Sequence, residues 1–229
     1  MKKIFLIAIL IFPSFLVIGQ ELGLQFGKSI SKFKFVDSDG VELDNLQRSD
    51  NFFMTLDYRQ QIMLETFNGK MYMDMGLGYN RYGASGSDAV LNNSYSWDVT
   101  YLGINLGLDY LVYRNRSVMF FAKMSVAPEF LLHGSQTLNN QVYDLRGEED
   151  FESPMYFFRG GAGMQFEISD EASAFVQYMG GKSYTFNGSS EKLNIIAHNV
   201  GFGMIFKLIK DPYQTEWRGN RKKIKEPKD

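Results

Sequence analysis

Met71-Tyr72-Met73-Asp74-Met75-Gly76-Leu77-Gly78-Tyr79-Asn80 decides how this chain is read. Every odd position is large and apolar. Every even position but Tyr72 is small, polar or charged. A strand sends successive side chains to opposite faces, so one face here is apolar and the other carries glycines, an aspartate and an asparagine.

The N-terminus gives the pattern a setting. Met1-Lys2-Lys3 is basic, residues 4–18 are almost wholly apolar, and Gly19-Gln20 follows. This is the n-region, h-region and small-residue exit of a secretory signal, with cleavage expected after Gly19. The apolar run is short of the roughly 20 residues a membrane helix needs. No later run reaches that length, and cysteine is absent. Without Lys2 and Lys3 the mature chain keeps 22 of its 24 basic residues against 26 acidic ones, which argues against nucleic acid as a partner.

Eight segments read as strands, at about residues 20–36, 51–64, 70–82, 96–112, 117–132, 154–168, 172–186 and 192–208. Each meets the roughly 9–11 residues a tilted strand needs to cross a bilayer. The connections alternate. Asn68-Gly69, Arg114-Asn115-Arg116 and Ser169-Asp170-Glu171 mark tight turns; residues 37–50, 83–95 and 133–153 read as long loops. Outer-membrane barrels pair tight periplasmic turns with longer external loops. The expected fold is therefore all-β, an eight-stranded antiparallel transmembrane β-barrel, with both ends on the periplasmic side.

Parity sorts the faces. Leu102, Ile104, Leu106, Leu108 and Tyr110 face lipid, as do Phe120, Met124, Phe158, Met164, Val200, Phe202, Met204 and Phe206. Asp57, Arg59, Asp74, Asp109, Lys123, Glu129, Arg159 and Glu167 take lumen positions. Eight strands leave a bore just wide enough for side chains to fill, so these charges are expected to pair as a structural plug. Tyr79, Tyr82, Tyr101, Tyr110, Tyr113 and Tyr156 fall near strand ends and are expected at the membrane interfaces.

Tyr101-Leu-Gly-Ile-Asn-Leu-Gly-Leu-Asp-Tyr110, a tight turn and Phe120-Phe-Ala-Lys-Met-Ser-Val-Ala-Pro-Glu129 resemble the central hairpin of small OmpA-like outer-membrane barrels, including the PorT-like group of bacteria with type IX secretion. Asn199-Val-Gly-Phe-Gly-Met-Ile-Phe-Lys-Leu208 resembles their closing strand. The resemblance spans the mature chain to Leu208. It implies a Gram-negative outer-membrane location, contact with outer-membrane lipid and lipopolysaccharide, and membership of a secretion or assembly machine. This chain has Asn105 where relatives often have proline, and a 21-residue tail follows the closing strand.

Three further features bear on function. His133-Gly134-Ser135 opens a predicted loop. A His-x-Ser pair with an acidic partner, here Glu129 or Asp144, is the arrangement of lipid A deacylases, since a serine nucleophile needs a base and an orienting group. His198 has no recognisable partner. Asp37-Ser-Asp39-Gly-Val-Glu42-Leu-Asp44 and residues 147–152 are acidic but lack the spacing of a calcium loop. The tail, residues 209–229, carries seven Lys/Arg against four Asp/Glu and sets Trp217 and Arg218 beside Arg221, Lys222 and Lys223, a pattern suited to binding a partner.

The expected organisation is a signal at 1–19, a barrel at 20–208 and a basic periplasmic tail at 209–229. The function expected is a non-enzymatic structural or accessory subunit with no cofactor and no metal, contacting protein partners through outer loops and tail. The alternatives are a lipid A-modifying enzyme using His133 and Ser135, and a narrow solute channel.

Overall fold

A computed structural model describes residues 20–36, 46–62, 71–88, 93–115, 117–147, 153–185 and 192–208. The expected signal, the tail and the Asn68-Gly69 turn lie outside the described residues.

The strands are β1 (Gln20–Val36), β2 (Gln47–Ile62), β3 (Met71–Asp88), β4 (Asn93–Arg114), β5 (Val118–Leu138), β6 (Gln141–Asp144), β7 (Met155–Glu167), β8 (Ala172–Thr185) and β9 (Lys192–Lys207). The order β4-β3-β2-β1-β9-β8-β7-β5 closes on itself because β4 also pairs with β5. All pairings are antiparallel. β6 stands outside this ring of eight and pairs with the end of β5. The seam between first and last strands is long, from Glu21↔Lys207 to Val36↔Lys192. It is capped where Leu208 N donates to Gln20 O at 2.8 Å. Closure satisfies the backbone within the wall, as a lipid-immersed sheet requires.

We call the end that holds Gln20 and Leu208 the terminal rim, and the opposite end the distal rim. The terminal rim carries tight turns. Asn115 N donates to Val118 O at 2.8 Å, and Ser169 Oγ accepts from Glu171 N and Ala172 N at 3.2 and 3.0 Å.

The outward parity is apolar and exposed all round. Leu77, Phe202 and Met124 are 52%, 55% and 64% exposed. Water would make that surface costly, whereas acyl chains suit it. The inward parity is buried and largely polar, including Gln25, Asp57, Asp74, Asn80, Asp109 and Glu129. An apolar outside around a polar inside is the architecture of an outer-membrane transmembrane barrel.

Two expectations need correction. The described distal segments carry more strand than expected. β2 begins at Gln47, β3 and β4 extend to Asp88 and from Asn93, and β5 runs to Leu138 before turning into β6. The turn between β5 and β6 uses Asn139 and Asn140, both at positive φ (49° and 67°), a conformation asparagine tolerates. Asn139 is fixed to β4: its N donates to Ser94 O, and its Oδ1 accepts from Ser94 N, both at 2.9 Å.

The second correction concerns tyrosines. Tyr79, Tyr110 and Tyr113 are exposed on the outer face, but Tyr82 and Tyr101 point inward and are fully buried. They belong to an apolar core that fills the distal lumen with Phe33, Val99, Phe157 and Ile195. That core is why the distal segments stay in strand: they have something to bury.

Candidate functional site

The lumen is the first candidate. Its terminal half is charged. Arg59 reaches Asp109 at 3.0 Å and Glu21 at 3.3 Å. Lys123 reaches Asp74 at 3.0 Å and Asp109 at 3.5 Å. Asp57 Oδ2 accepts from Thr55 Oγ1 at 2.9 Å. Four carboxylates thus face two cations. Glycines make the room: a Cβ on Gly76 would collide with the Asp57 carboxylate, and one on Gly107 with that of Asp74. The spaces left between these groups are small. Cavities of about 10, 20 and 40 Å³ follow one another up the lumen, from Glu21 and Tyr72 through Arg59 and Asp57 to Asn80 and Arg159. The largest has room for about two or three waters.

Above them sits a bolt. Glu129, fully buried, is held by Arg159, by Tyr82 Oη at 3.0 Å and by Asn80 Nδ2 at 2.9 Å. Arg159 Nη2 also donates to Tyr82 Oη at 2.7 Å, and its guanidinium lies 4.1 Å from the Phe157 ring centroid. Tyr82 stacks on Phe157 with centroids 5.2 Å apart, so the bolt merges into the distal apolar core.

Seven of the eight inward charges named from the sequence therefore meet in the bore. Glu167 lies at the terminal rim, 3.0 Å from Arg114 Nη2 and 4.0 Å from Lys207 Nζ. Sequence reasoning missed Glu21, because the second residue after the expected cleavage point reads as a free end; its parity with Gln25 was the available signal. It placed Asn80 on the polar face without naming it among the site residues, and it missed Tyr82, whose parity with Asp74 marks it as inward.

His133 and Ser135 are the second candidate. They lie on β5, beyond a bulge at Leu132, and do not open a loop. Ser135 pairs across the hairpin with Asp144. Among the described residues no hydrogen bond joins His133 to Ser135. The Asp144 carboxylate is clasped by Arg146, through Nε at 3.0 and 3.1 Å and Nη2 at 2.6 Å. Those bonds hold its pKa down at about 2. Glu129 is committed to the bolt. The other histidine, His198, does have a partner: its Nδ1 is 2.6 Å from Tyr178 Oη, on the outer wall.

Among the described residues, no group of three or more His, Cys, Asp or Glu is placed to hold a metal ion. The tail residues Trp217, Arg218, Arg221, Lys222 and Lys223 lie outside the described residues, as do residues 37–45.

No protein-family model matches the sequence, and comparison with curated proteins gives no match. Solved structures do show similar barrels. Ail, the attachment invasion locus protein of Yersinia pestis, solved with the heparin analogue sucrose octasulfate, is 16% identical, with 83% of this chain and 100% of that chain covered and a TM-score of 0.39. Neisserial surface protein A is 11% identical, with 82% and 97% covered and a TM-score of 0.46. OprG, an outer membrane protein of Pseudomonas aeruginosa, is 14% identical, with 82% and 97% covered and a TM-score of 0.44. At these identities the likeness is one of backbone course alone.

Proposed function

We propose that this chain is a non-enzymatic barrel of the Gram-negative outer membrane. It acts as a structural or accessory subunit of a secretion or outer-membrane assembly machine. The distal rim faces outward and the C-terminal tail lies in the periplasm. The observation that carries this reading is the filled lumen. Among the described residues, the charged network, the Glu129–Arg159–Tyr82 bolt and the apolar core succeed one another along the bore, with cavities of about 10, 20 and 40 Å³ between them. A solute has no open route through such an interior. What remains for function is the outside: the distal strand ends, and the tail with Trp217, Arg218, Arg221, Lys222 and Lys223.

The test is crosslinking in intact cells, then gentle solubilisation and copurification, with the full chain and with a chain ending at Leu208. The reading expects a discrete partner that the shortened chain loses or holds weakly. A lone monomer under crosslinking sinks the subunit reading.

A further inference from the structure

Most inward charges between the terminal rim and the bolt are answered. Arg159 meets Glu129 in the bolt, and Arg114 and Lys207 both reach Glu167 at the rim. That leaves Glu21, Asp57, Asp74 and Asp109 to Arg59 and Lys123. Lys207 also stands beside Glu21 in the β1–β9 register. With Lys207 credited to Glu21 and Arg114 to Glu167, the described interior is still short of one positive charge.

Asp57 is where the shortfall lies. Its Oδ2 accepts from Thr55 Oγ1 at 2.9 Å, but its Oδ1 is buried and has no hydrogen-bond partner among the described residues. Lys123, the cation that shares its cavities, is engaged with Asp74 and Asp109. The register explains the gap. Gly23 and Gly76 are the cross-strand neighbours of Asp57, so neither brings a side chain that could donate to it.

Space opens beside it. Asp57 lines both the 20 and the 40 Å³ cavities of the lumen. The larger is also lined by Asn199, on β9, which is only 6% exposed and whose Oδ1 has no partner among the described residues. Asn199 carries no charge, so its orphaned oxygen is a sign separate from the charge balance that this cavity takes a positive group. Asp74, Asn105 and Ser125 add further oxygens to the same lining.

We propose that the 40 Å³ cavity binds one potassium-sized alkali cation, held by the Asp57 carboxylate and, directly or through a water, by the amide oxygen of Asn199. One positive charge closes the balance, and an unpaired carboxylate in a sealed interior is costly enough to make closing it worthwhile. The volume admits about one such ion with a water beside it. A divalent ion fits worse. It overshoots the balance, and among the described residues no three acidic groups are placed to hold one. A proton on Asp57 closes the balance but adds no ligand for Asn199. The ion sits below the bolt and the apolar core, so it completes the plug and does not permeate. This inference rests on the closed, polar lumen. It does not depend on the subunit role.

The test is a crystal structure of the full chain, refolded and crystallised in rubidium chloride, with anomalous scattering recorded at the rubidium edge. Rubidium stands in for potassium and is seen directly, and refolding in it removes any need for exchange through the closed bore. The expected result is one anomalous peak inside the barrel beside the Asp57 carboxylate, absent in Asp57→Asn prepared the same way. Peaks on the barrel surface alone, an adventitious ion only, overturn the site. So does a lumen without anomalous signal, which assigns the missing charge to a proton on Asp57. Urea unfolding in lipid vesicles gives a second readout, in potassium chloride and in choline chloride at equal ionic strength. Wild type is expected to unfold at lower urea in choline; Asp57→Asn should lose that difference entirely and Asn199→Ala in part. A folded-band shift on unheated gels checks that each variant forms a barrel. Equal midpoints for wild type in the two salts overturn the site, whether or not the variants fold.

Discussion

The two halves of the lumen are filled by opposite means. The terminal half is held by charge, with four carboxylates around Arg59 and Lys123. The distal half is held by packing, with Phe33, Tyr82, Val99, Tyr101, Phe157 and Ile195 buried against one another. The Glu129–Arg159 bolt joins them. The difference follows from what surrounds each half. In the membrane, the wall presents apolar residues outward, so its inner parity is left to the polar ones. Towards the distal rim charged residues such as Lys32 and Asp98 take the outward parity, and Phe33, Val99 and Tyr101 point in. The strand period never changes; the chemistry assigned to its two phases inverts towards the distal rim.

Breaking the bolt should cost most. Arg159→Ala leaves Glu129 buried without its cation and is expected to destabilise by about 3–5 kcal/mol, measured by urea unfolding in lipid vesicles. Replacing both partners, Glu129→Leu with Arg159→Met, should restore most of that loss, because no buried charge remains.

The distal half comes next. Phe157→Ala removes the ring that stacks on Tyr82 and underlies Arg159, and is expected to cost about 3 kcal/mol in the same assay. The terminal half should prove more tolerant. Asp74→Asn leaves Lys123 with Asp109 and lowers an excess of carboxylates, so its effect should stay within about 1 kcal/mol of wild type, in either direction. If Asp74→Asn costs more than Phe157→Ala, the contrast between the halves is misdrawn.

The smallest effect lies at the exposed β5–β6 hairpin. Arg146 depresses Asp144 from its ordinary 3.8 to about 2. A depressed carboxylate stabilises the folded form above its unfolded value and loses that contribution as pH falls through the folded one. Amide exchange of the hairpin should therefore be unchanged from pH 7 to pH 4 once corrected for intrinsic rates, and should rise between about pH 4 and 2 in wild type but not in Arg146→Gln.

Much of the wall was legible because parity is rigid. Met71 to Asn80 placed its faces correctly, as did the runs around Leu106 and Phe202. The same rule already marked Tyr82 as inward, since it shares parity with Asp74. Tyrosine's liking for membrane interfaces obscured that, and only the closed bore shows where the ring goes. The β5–β6 hairpin was missed because Asn139-Asn140 is a weaker turn signal than Asn-Gly. The partners of the inward charges could not be read at all. Arg59 meets Glu21 directly across the β1–β2 pairing and Asp109 two strands away, through a register and a wall curvature that no local pattern encodes.

The central claim is that the bore is closed along its length. Planar-bilayer recording of the purified, refolded full chain tests it most directly. The filled lumen predicts flat current traces at all voltages that the bilayer tolerates, with the folded barrel verified in the same preparation. Reproducible discrete conductance steps from the wild-type protein would contradict it.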